Sequence, residues 1–438
     1  MTKGTIMDKL ILFVLPFMLS SCLQLLFNAV DVIIVGRYTG STALAAVGST
    51  TALINTMINL FMGISIGTNV LVARYFAAKM PKELHDTIHT SVAFALLSGF
   101  FMLLVGILFA RPALRLMDTP EDVIDQSVLY MRIYFCGMPF FMVYNYCAAI
   151  LRAIGDTVRP LVILFISGCV NAGLNYVLVR FFSMGVAGVA IATVVAQGLS
   201  CTFVIICLIR EKGDFKLNVK DLTIKWRFLK EIFKIGVPAG LQTAIINFSN
   251  VLLQSSVNSF GANAMAGYTA ANNIMGFLYV SVNSISQGCT SFMSQNLGAS
   301  KFDRLDRVLR DSVILSLIVG VLFGSLSHIF ASNIIGIYTR NSLDVTYGIA
   351  IISIPAITYF LCGIMDLIPG AMRGLGHSSV PMVLSIIGTV GTRLVWIFGL
   401  FPTHHDLTFL FYSYPVSWIF TIVMQVICYI FVRKKVMR

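Results

Sequence analysis

The stretch RAIGDTVRPLV at residues 152–162 returns as RGLGHSSVPMV at residues 373–383, with its arginine, one glycine and its proline repeated 221 positions later. Further landmarks align at this offset or within one position of it: Gly40 with Gly261, Gly67 with Gly288, SVAFALLSG (91–99) with SVILSLIVG (312–320), Pro16 with Pro238, and Asn28 with Asn250. Several landmarks at one offset indicate an internal repeat that covers about half of the chain.

The composition indicates that both copies of this repeat lie in a lipid bilayer. Of the 438 residues, 57% are hydrophobic and 11% charged, and the mean hydropathy is +0.87. Apolar runs of about 20 residues recur, each long enough to cross a hydrocarbon core. Because lipid offers the backbone no hydrogen-bond partners, these runs must be helices. We therefore predict an all-α integral membrane protein with twelve transmembrane helices.

The repeat assigns six of these helices to each half. An even number returns the chain to its starting side, so both halves insert in the same orientation. We predict two six-helix bundles related by a pseudo-two-fold axis along the membrane normal, with a central cavity. The predicted divisions are an N-terminal lobe at 1–209, a basic linker at 210–234 and a C-terminal lobe at 235–438.

The net charge of +12 follows from this topology. Lys and Arg concentrate in the linker and near the C-terminus, on the side that both termini share, which predicts cytoplasmic termini in the plasma membrane. This distribution argues against a nucleic-acid partner. The first apolar segment is too long for a signal peptide and is expected to remain as the first span. The nine cysteines lie in apolar segments without metal-type pairing, so no metal site is expected.

Motifs spread along the chain carry a resemblance that covers essentially all twelve spans. They are Pro16, Asn28 and Asp31 followed by VGRYTGSTALAAVG (35–48), LRAIGDTVRP (151–160), NAGLNYVLV (171–179), GVAGVAIATVVAQ (185–197), SQNLGA (294–299) and RLVWIF (393–398). In combination they resemble the multidrug and toxic compound extrusion (MATE) transporters. The resemblance implies two six-helix lobes, an antiport cycle driven by H⁺ or Na⁺ and no other cofactor, and export of organic, often cationic compounds.

The first span contains a candidate for ion coupling. Gln24, Asn28 and Asp31 are spaced i, i+4 and i+7, which places them on one helix face, as in a cavity wall. An acid at the centre of a membrane helix costs about 2.5–3.5 kcal/mol, and such acids usually serve a pathway or a proton relay. Loss of water favours the neutral carboxyl, so Asp31 is a candidate for binding and releasing a proton. The alternative is that Asp31 only bonds to Asn28 and the backbone for packing.

Polar pairs in the fifth and sixth spans could complete this site. Asn171 and Asn175 lie four residues apart, as do Thr193 and Gln197. The resemblance places Asn171, Asn175 and Thr193 beside Asp31, although interhelical hydrogen bonding is an alternative for each. Many MATE transporters have a second carboxylate at the position of Asn175. Its replacement by an amide favours H⁺ over Na⁺.

Pro16 precedes Asp31 by fifteen residues and can kink the first span. We hypothesise that protonation of Asp31 changes this bend, which collapses the N-terminal cavity and releases cargo outward. The alternative is a static kink.

The second half keeps a polar stripe without the acid. Asn247, Asn250 and Gln254 follow a spacing of i, i+3 and i+7. The other deep acid is Asp366, whose repeat partner is Asn145. Asp366 could bind cation or substrate, or pair with Arg393. We predict a substrate cavity lined by Gln24, Asn145, Gln197, Asn247, Asn250, Gln254 and Asp366, and an ion-coupling site formed by Asp31, Asn28, Asn171, Asn175 and Thr193.

The sequence therefore predicts a secondary active antiporter that works by alternating access. We do not expect an enzyme, since the sequence contains no nucleotide loop, metal cluster or nucleophile motif. Its partners are the bilayer and small organic substrates, and we expect a monomer. Two alternatives remain: a flippase for a lipid-linked saccharide, which needs a cationic cavity, and a passive channel.

Overall fold

The computed structural model describes residues 1–117, 119–339 and 341–436, without the side chains of Ser41 and Ala52. Across these ranges the regular structure is helical and contains no strand. The first half forms seven helices: α1 (Ile6–Tyr38), α2 (Ser41–Ala77), α3 (Pro81–Leu116), α4 (Glu121–Cys136), α5 (Met138–Ile154), α6 (Val158–Arg180) and α7 (Gly185–Ile209).

The second half forms ten α-helical segments: α8 (Trp226–Asn258), α9 (Ala262–Gly298), α10 (Phe302–Ile329), α11 (Ala331–Tyr338), α12 (Ser342–Ile357), α13 (Tyr359–Gly374), α14 (Ser379–Ser385), α15 (Thr392–Val395), α16 (Leu407–Phe411) and α17 (Ser413–Val436). Two π-helical segments adjoin these: Ile386–Gly391 links α14 to α15, and Trp396–Leu400 extends α15, so that the four segments form one continuous helix.

The helices of the described ranges group into twelve candidate membrane spans. Eight helical segments are long and apolar enough to cross a bilayer individually, and two bent pairs, α4 with α5 and α12 with α13, add two more crossings. The more polar α8 and α9, with 33 and 37 residues, complete the set. The prediction of an all-α membrane protein with twelve spans is confirmed.

The bends and tight turns repeat along with the sequence. Gly137 separates α4 from α5 at an angle of 46°, and Thr358, 221 positions later, separates α12 from α13 at 50°. Gly155, which ends α5, has a φ of 104°, and its partner Gly376 has a φ of 91°. Because side chains disfavour positive φ, the repeated glycines are needed where the chain leaves its helix.

The chain packs into two compact units, which are Leu15–Gly240 and Met1–Val14 together with Leu241–Arg438. Each unit therefore contains the beginning of a long helix whose remainder belongs to the other unit. The crossover residues lie close to Pro16 in α1 and Pro238 in α8, which are repeat partners. The lobe boundaries proposed from the sequence stay a prediction, and α8 begins at Trp226, within the proposed linker.

In the Leu15–Gly240 unit, the beginning of α8 is held by backbone contact with α2. A Cβ atom on Gly67 would overlap the carbonyl oxygen of Ile232, and one on Gly63 would overlap the backbone of Gly240. Gly236 contacts Ile64 in the same way. Small residues four apart let two membrane helices approach until their backbones touch.

In the other unit, the beginning of α1 packs on α9. Phe13 meets Phe292 edge to face, with ring centroids 5.8 Å apart. Gly288, the repeat partner of Gly67, lies under Val14, where a Cβ atom would be 2.9 Å from a methyl group of the valine. The same glycine position thus receives the crossing helix in both units.

Replacing Gly67 by alanine is expected to destabilise the protein, because the added methyl group has to push α8 away from α2. Overpacking of this kind costs about 1–3 kcal/mol. Gly48→Ala in the same helix is the matched control, since a Cβ atom there has no neighbour within 4 Å. Thermal unfolding in detergent micelles measures the difference, and equal melting temperatures for the two variants would refute the contact.

Candidate functional site

The Asp31 carboxylate on α1 is half-buried and accepts a hydrogen bond from the Nδ2 group of Asn175 on α6. Asn175 is fully buried. Its amide nitrogen also donates to Oδ1 of Asn171, one helical turn earlier, at 3.3 Å. The spacing of the two asparagines on α6 therefore places both amides at Asp31, as the resemblance implied.

The sixth span closes this cluster. Asn171 donates to the Thr193 hydroxyl of α7 at 3.4 Å, and that hydroxyl donates to the carbonyl of Val189 at 2.9 Å. Thr193 also interacts with the Asp31 carboxylate. Asp31, Asn171, Asn175 and Thr193 form what we call the Asp31 cluster, which lies wholly within one compact unit.

Two tyrosines that the sequence did not single out lie beside this cluster. Tyr130 and Tyr134 of α4 are close enough to Asp31 to interact with its charge, and their rings are 5.9 Å apart. Their spacing of four residues was the available signal, but nothing in the sequence indicates which helix α4 faces. Tyr134 also interacts with Gln197 of α7, which brings Gln197 to the edge of the cluster.

The remaining candidates of the first half lie apart from the cluster. Gln24 and Asn28 are exposed on α1, and none of the hydrogen bonds found in the described ranges involves their side chains. Asn145 is buried and donates to the carbonyl of Phe141 in its own helix at 2.8 Å. Pro16 lies inside α1, half-buried, where the Ser20 hydroxyl donates to its carbonyl at 3.0 Å.

Asp366 belongs to the other unit, where its charge interacts with the buried Arg373 of the same helix. Its carboxylate, buried in α13, accepts a hydrogen bond from Nδ2 of Asn283 at 2.8 Å and interacts with the Tyr279 hydroxyl. The ion pairs found in the described part of the chain do not join it to Arg393. The alternative that these two residues pair is therefore wrong.

Arg393 instead binds the polar stripe of α8. Its Nη1 group donates to Oδ1 of Asn250 at 2.7 Å and to the Ser249 hydroxyl at 3.0 Å. Its guanidinium group lies over the Tyr414 ring, 4.3 Å from the centroid. Asn247 and Gln254, the other members of the stripe, are exposed.

The two halves therefore build the same arrangement from different side chains. In each half, the polar stripe of the first span is met by a residue of the fifth span, Asn175 in one case and Arg393 in the other. The sixth-span contributors, Thr193 and Tyr414, are 221 positions apart and so are repeat partners. The repeat preserves the meeting point of three helices and changes its chemistry.

The family model described as MatE matches residues 16–177 and 238–398, once in each half. The chain belongs to the MatE family. The first match begins at Pro16 and the second at its repeat partner Pro238. The match to both halves supports the internal repeat.

Known proteins extend the match to nearly the whole chain. The probable multidrug resistance protein YoeA of Bacillus subtilis is 30% identical, over 99% of this chain and 96% of its own. A multidrug resistance MATE family transporter of the MOP superfamily, solved in an outward-facing conformation, has a TM-score of 0.90 at 19% identity, covering 99% of this chain and 97% of its own.

A second solved structure is a MOP superfamily transporter from Pyrococcus furiosus, for which a reversed polarity of the binding pocket suggests a different function. Its TM-score is 0.91 at 18% identity, over 99% of this chain and 97% of its own. These likenesses establish the MatE fold. Since members of the family are transporters, the expectation that the chain is not an enzyme is confirmed.

Asn175→Asp is expected to create Na⁺ binding in this MatE protein, because two neighbouring carboxylates supply the charge that a metal cation needs and one carboxylate with an amide does not. Binding to the folded state raises its stability by mass action, so Na⁺ should raise the melting temperature of the variant above that in K⁺ at equal ionic strength. Asn247→Asp, which adds an acid at an exposed position outside the cluster, is the control. An equal response of the unmodified protein to Na⁺ would contradict this expectation.

Proposed function

We propose that this MatE protein exports lipophilic, often cationic organic compounds in exchange for H⁺, by alternating access, with Na⁺ as the alternative coupling ion. The observation that carries the proposal is the environment of the Asp31 carboxylate. It accepts a hydrogen bond from the Asn175 amide, and no Lys or Arg among the described residues forms an ion pair with it. A carboxylate without a fixed counter-ion can change its charge during a transport cycle.

The chemistry of Asn175 supports H⁺ as the coupling ion. An amide can donate through its nitrogen to an ionised carboxylate, or accept through its oxygen from a protonated one. The Asn175 Oδ1 atom is buried and has no hydrogen-bond partner in the described structure, so it is available to a protonated Asp31 after a turn of the amide. The same side chain can therefore bind both charge states of Asp31.

Protonation would also change how α1 is held. The ionised Asp31 makes charge-assisted hydrogen bonds to α6 and α7, which are stronger than those of the neutral acid. Pro16 lies fifteen residues earlier and removes one backbone hydrogen bond from the helix. We propose that loss of the charged contacts lets α1 bend at this weak point, which collapses the cavity of the N-terminal lobe and expels cargo.

The cargo class rests on the composition and on the relatives. The chain contains 33 Phe, 20 Met and 15 Tyr, and aromatic and methionine surfaces adapt to varied apolar cations. YoeA, a relative, is named as a probable multidrug resistance protein. We propose that Gln24 and Gln197 contribute polar groups to the cargo site, and that Asp366 attracts cationic cargo in the second half. Asn28 is proposed for the ion-coupling site with Asp31.

A flippase for a lipid-linked saccharide is the main alternative. The Pyrococcus furiosus transporter shows that this fold can hold a pocket of different polarity. A diphosphate cargo requires available cations, but Arg393 is 3% exposed and is already bound to Ser249, Asn250 and Tyr414. This engagement disfavours the flippase.

The proposal also covers the membrane topology and the oligomeric state of the protein. We propose a monomer in the plasma membrane with both termini in the cytoplasm, organised as lobes 1–209 and 235–438 joined by the basic linker 210–234. No cofactor is required besides the coupling ion.

Asp31→Asn is expected to reduce drug efflux to the background level, because an amide cannot take up and release the coupling proton. Fluorescent dye efflux from proteoliposomes under an imposed pH gradient, with and without Na⁺, measures this loss. Asp214→Asn, at an exposed linker position, is the matched control and should transport normally. Normal pumping by Asp31→Asn would refute the mechanism, and efflux that persists without a gradient would indicate a channel.

Pro16→Ala is expected to slow transport about tenfold or more, because restoring one helical hydrogen bond and removing the ring clash is worth about 3 kcal/mol in favour of a straight helix. Dye binding should persist, since the Asp31 cluster is unchanged. Pro112→Ala, which alters an exposed proline inside α3, is the control. Full transport by Pro16→Ala would show that the kink is static.

A further inference from the structure

A basic groove lies where α10 begins beside the first turn of α1. It is lined by residues 4–7 and by Arg304, Arg307, Arg310 and Asp311, and its volume is about 530 Å³. All of these residues belong to one compact unit. The transport mechanism proposed above does not use them.

The three arginines of the groove differ in their engagement. Arg304 donates to the carbonyl of Gly4 at 3.0 Å and to Oδ1 of Asn296 at 3.2 Å, which fixes its position. Arg310 binds the Asp311 carboxylate at 3.0 and 3.1 Å. Arg307 is exposed, and none of the hydrogen bonds or ion pairs of the described residues involves it. Three guanidinium groups therefore face one carboxylate, and one of them is unengaged.

The same face of α10 continues from the groove as an apolar surface. Ile314 and Ile318 follow Arg307 by seven and eleven residues, so all three side chains lie on one side of the helix. The isoleucines are 40% and 56% exposed, and α10 is long and apolar enough to cross a bilayer. In a bilayer, this exposed apolar face would therefore be open to lipid acyl chains immediately beside the basic groove.

We propose that the groove binds the phosphate of an anionic phospholipid headgroup while the acyl chains lie along Ile314 and Ile318. Guanidinium groups bind phosphate oxygens through two parallel hydrogen bonds, which suits Arg307. The apolar continuation selects a lipid over a soluble phosphate ester, which would contact the arginines alone. This lipid belongs to the cytoplasmic leaflet, which rests on the topology of the proposed function.

Titration of the detergent-solubilised full-length protein with phosphatidylglycerol tests the proposal, with bound lipid counted by native mass spectrometry. Each basic residue near an anionic headgroup contributes about 1 kcal/mol, so Arg307→Gln should raise the Kd about fivefold. Arg307→Lys, which keeps the charge, should retain most of the affinity. Arg210→Gln removes an exposed arginine at the end of α7 and should bind as the unmodified protein does.

Phosphatidylcholine and glycerol 3-phosphate, titrated in parallel, distinguish the possible occupants. Both should bind much more weakly than phosphatidylglycerol. Equal affinity of Arg307→Gln and the unmodified protein for phosphatidylglycerol would overturn the site, and glycerol 3-phosphate binding as tightly with the same dependence on Arg307 would assign it to a soluble phosphate ester. Asp31→Asn should bind phosphatidylglycerol normally, so this result is independent of the transport mechanism.

Discussion

The absence of water from the hydrocarbon core governs the rest of this structure. Every backbone N–H and C=O group there needs a partner within the chain, so the spans are helices and changes of direction are confined to a few positions. Those positions recur at the repeat offset: the breaks at Gly137 and Thr358, and the left-handed residues Gly155 and Gly376. The two halves thus solve the same backbone problem in the same way, whatever their side chains do.

The exchange of helix ends between the compact units follows from the same constraint. Apolar attraction contributes little between helices in lipid, so close backbone packing has to hold them together. Gly67 provides such a backbone contact for the beginning of α8, and Gly288 leaves room for the side chains of Leu10, Phe13 and Val14 at the beginning of α1. Pro16 follows the packed residues of α1, and Pro238 lies between the packed residues Gly236 and Gly240 of α8. Each crossing helix is therefore held near its beginning and lacks a backbone hydrogen bond near the crossover.

The sequence predicted the features that depend on hydropathy and periodicity. The twelve spans, the repeat and the polar stripe of α1 are local patterns, and the resemblance supplied the neighbours of Asp31. The positions of Tyr130 and Tyr134, the partners of Arg393 and the exchanged helix ends depend on which helix faces which. That information lies in packing between distant segments, and helical periodicity describes only the faces of a single helix.

The two three-helix meeting points differ in the charge of the side chain that joins their helices. In the second half, Arg393 binds Asn250 and lies over the Tyr414 ring, and arginine is charged in proteins. In the first half, Asp31 meets only neutral partners in Asn175 and Thr193. Its contacts change strength with its protonation state, because a charged hydrogen bond is about twice as strong as a neutral one. In the function proposed above, the duplicated geometry therefore supplies one fixed junction at Arg393 and one junction at Asp31 that would respond to protons and couple their gradient to movement of α1.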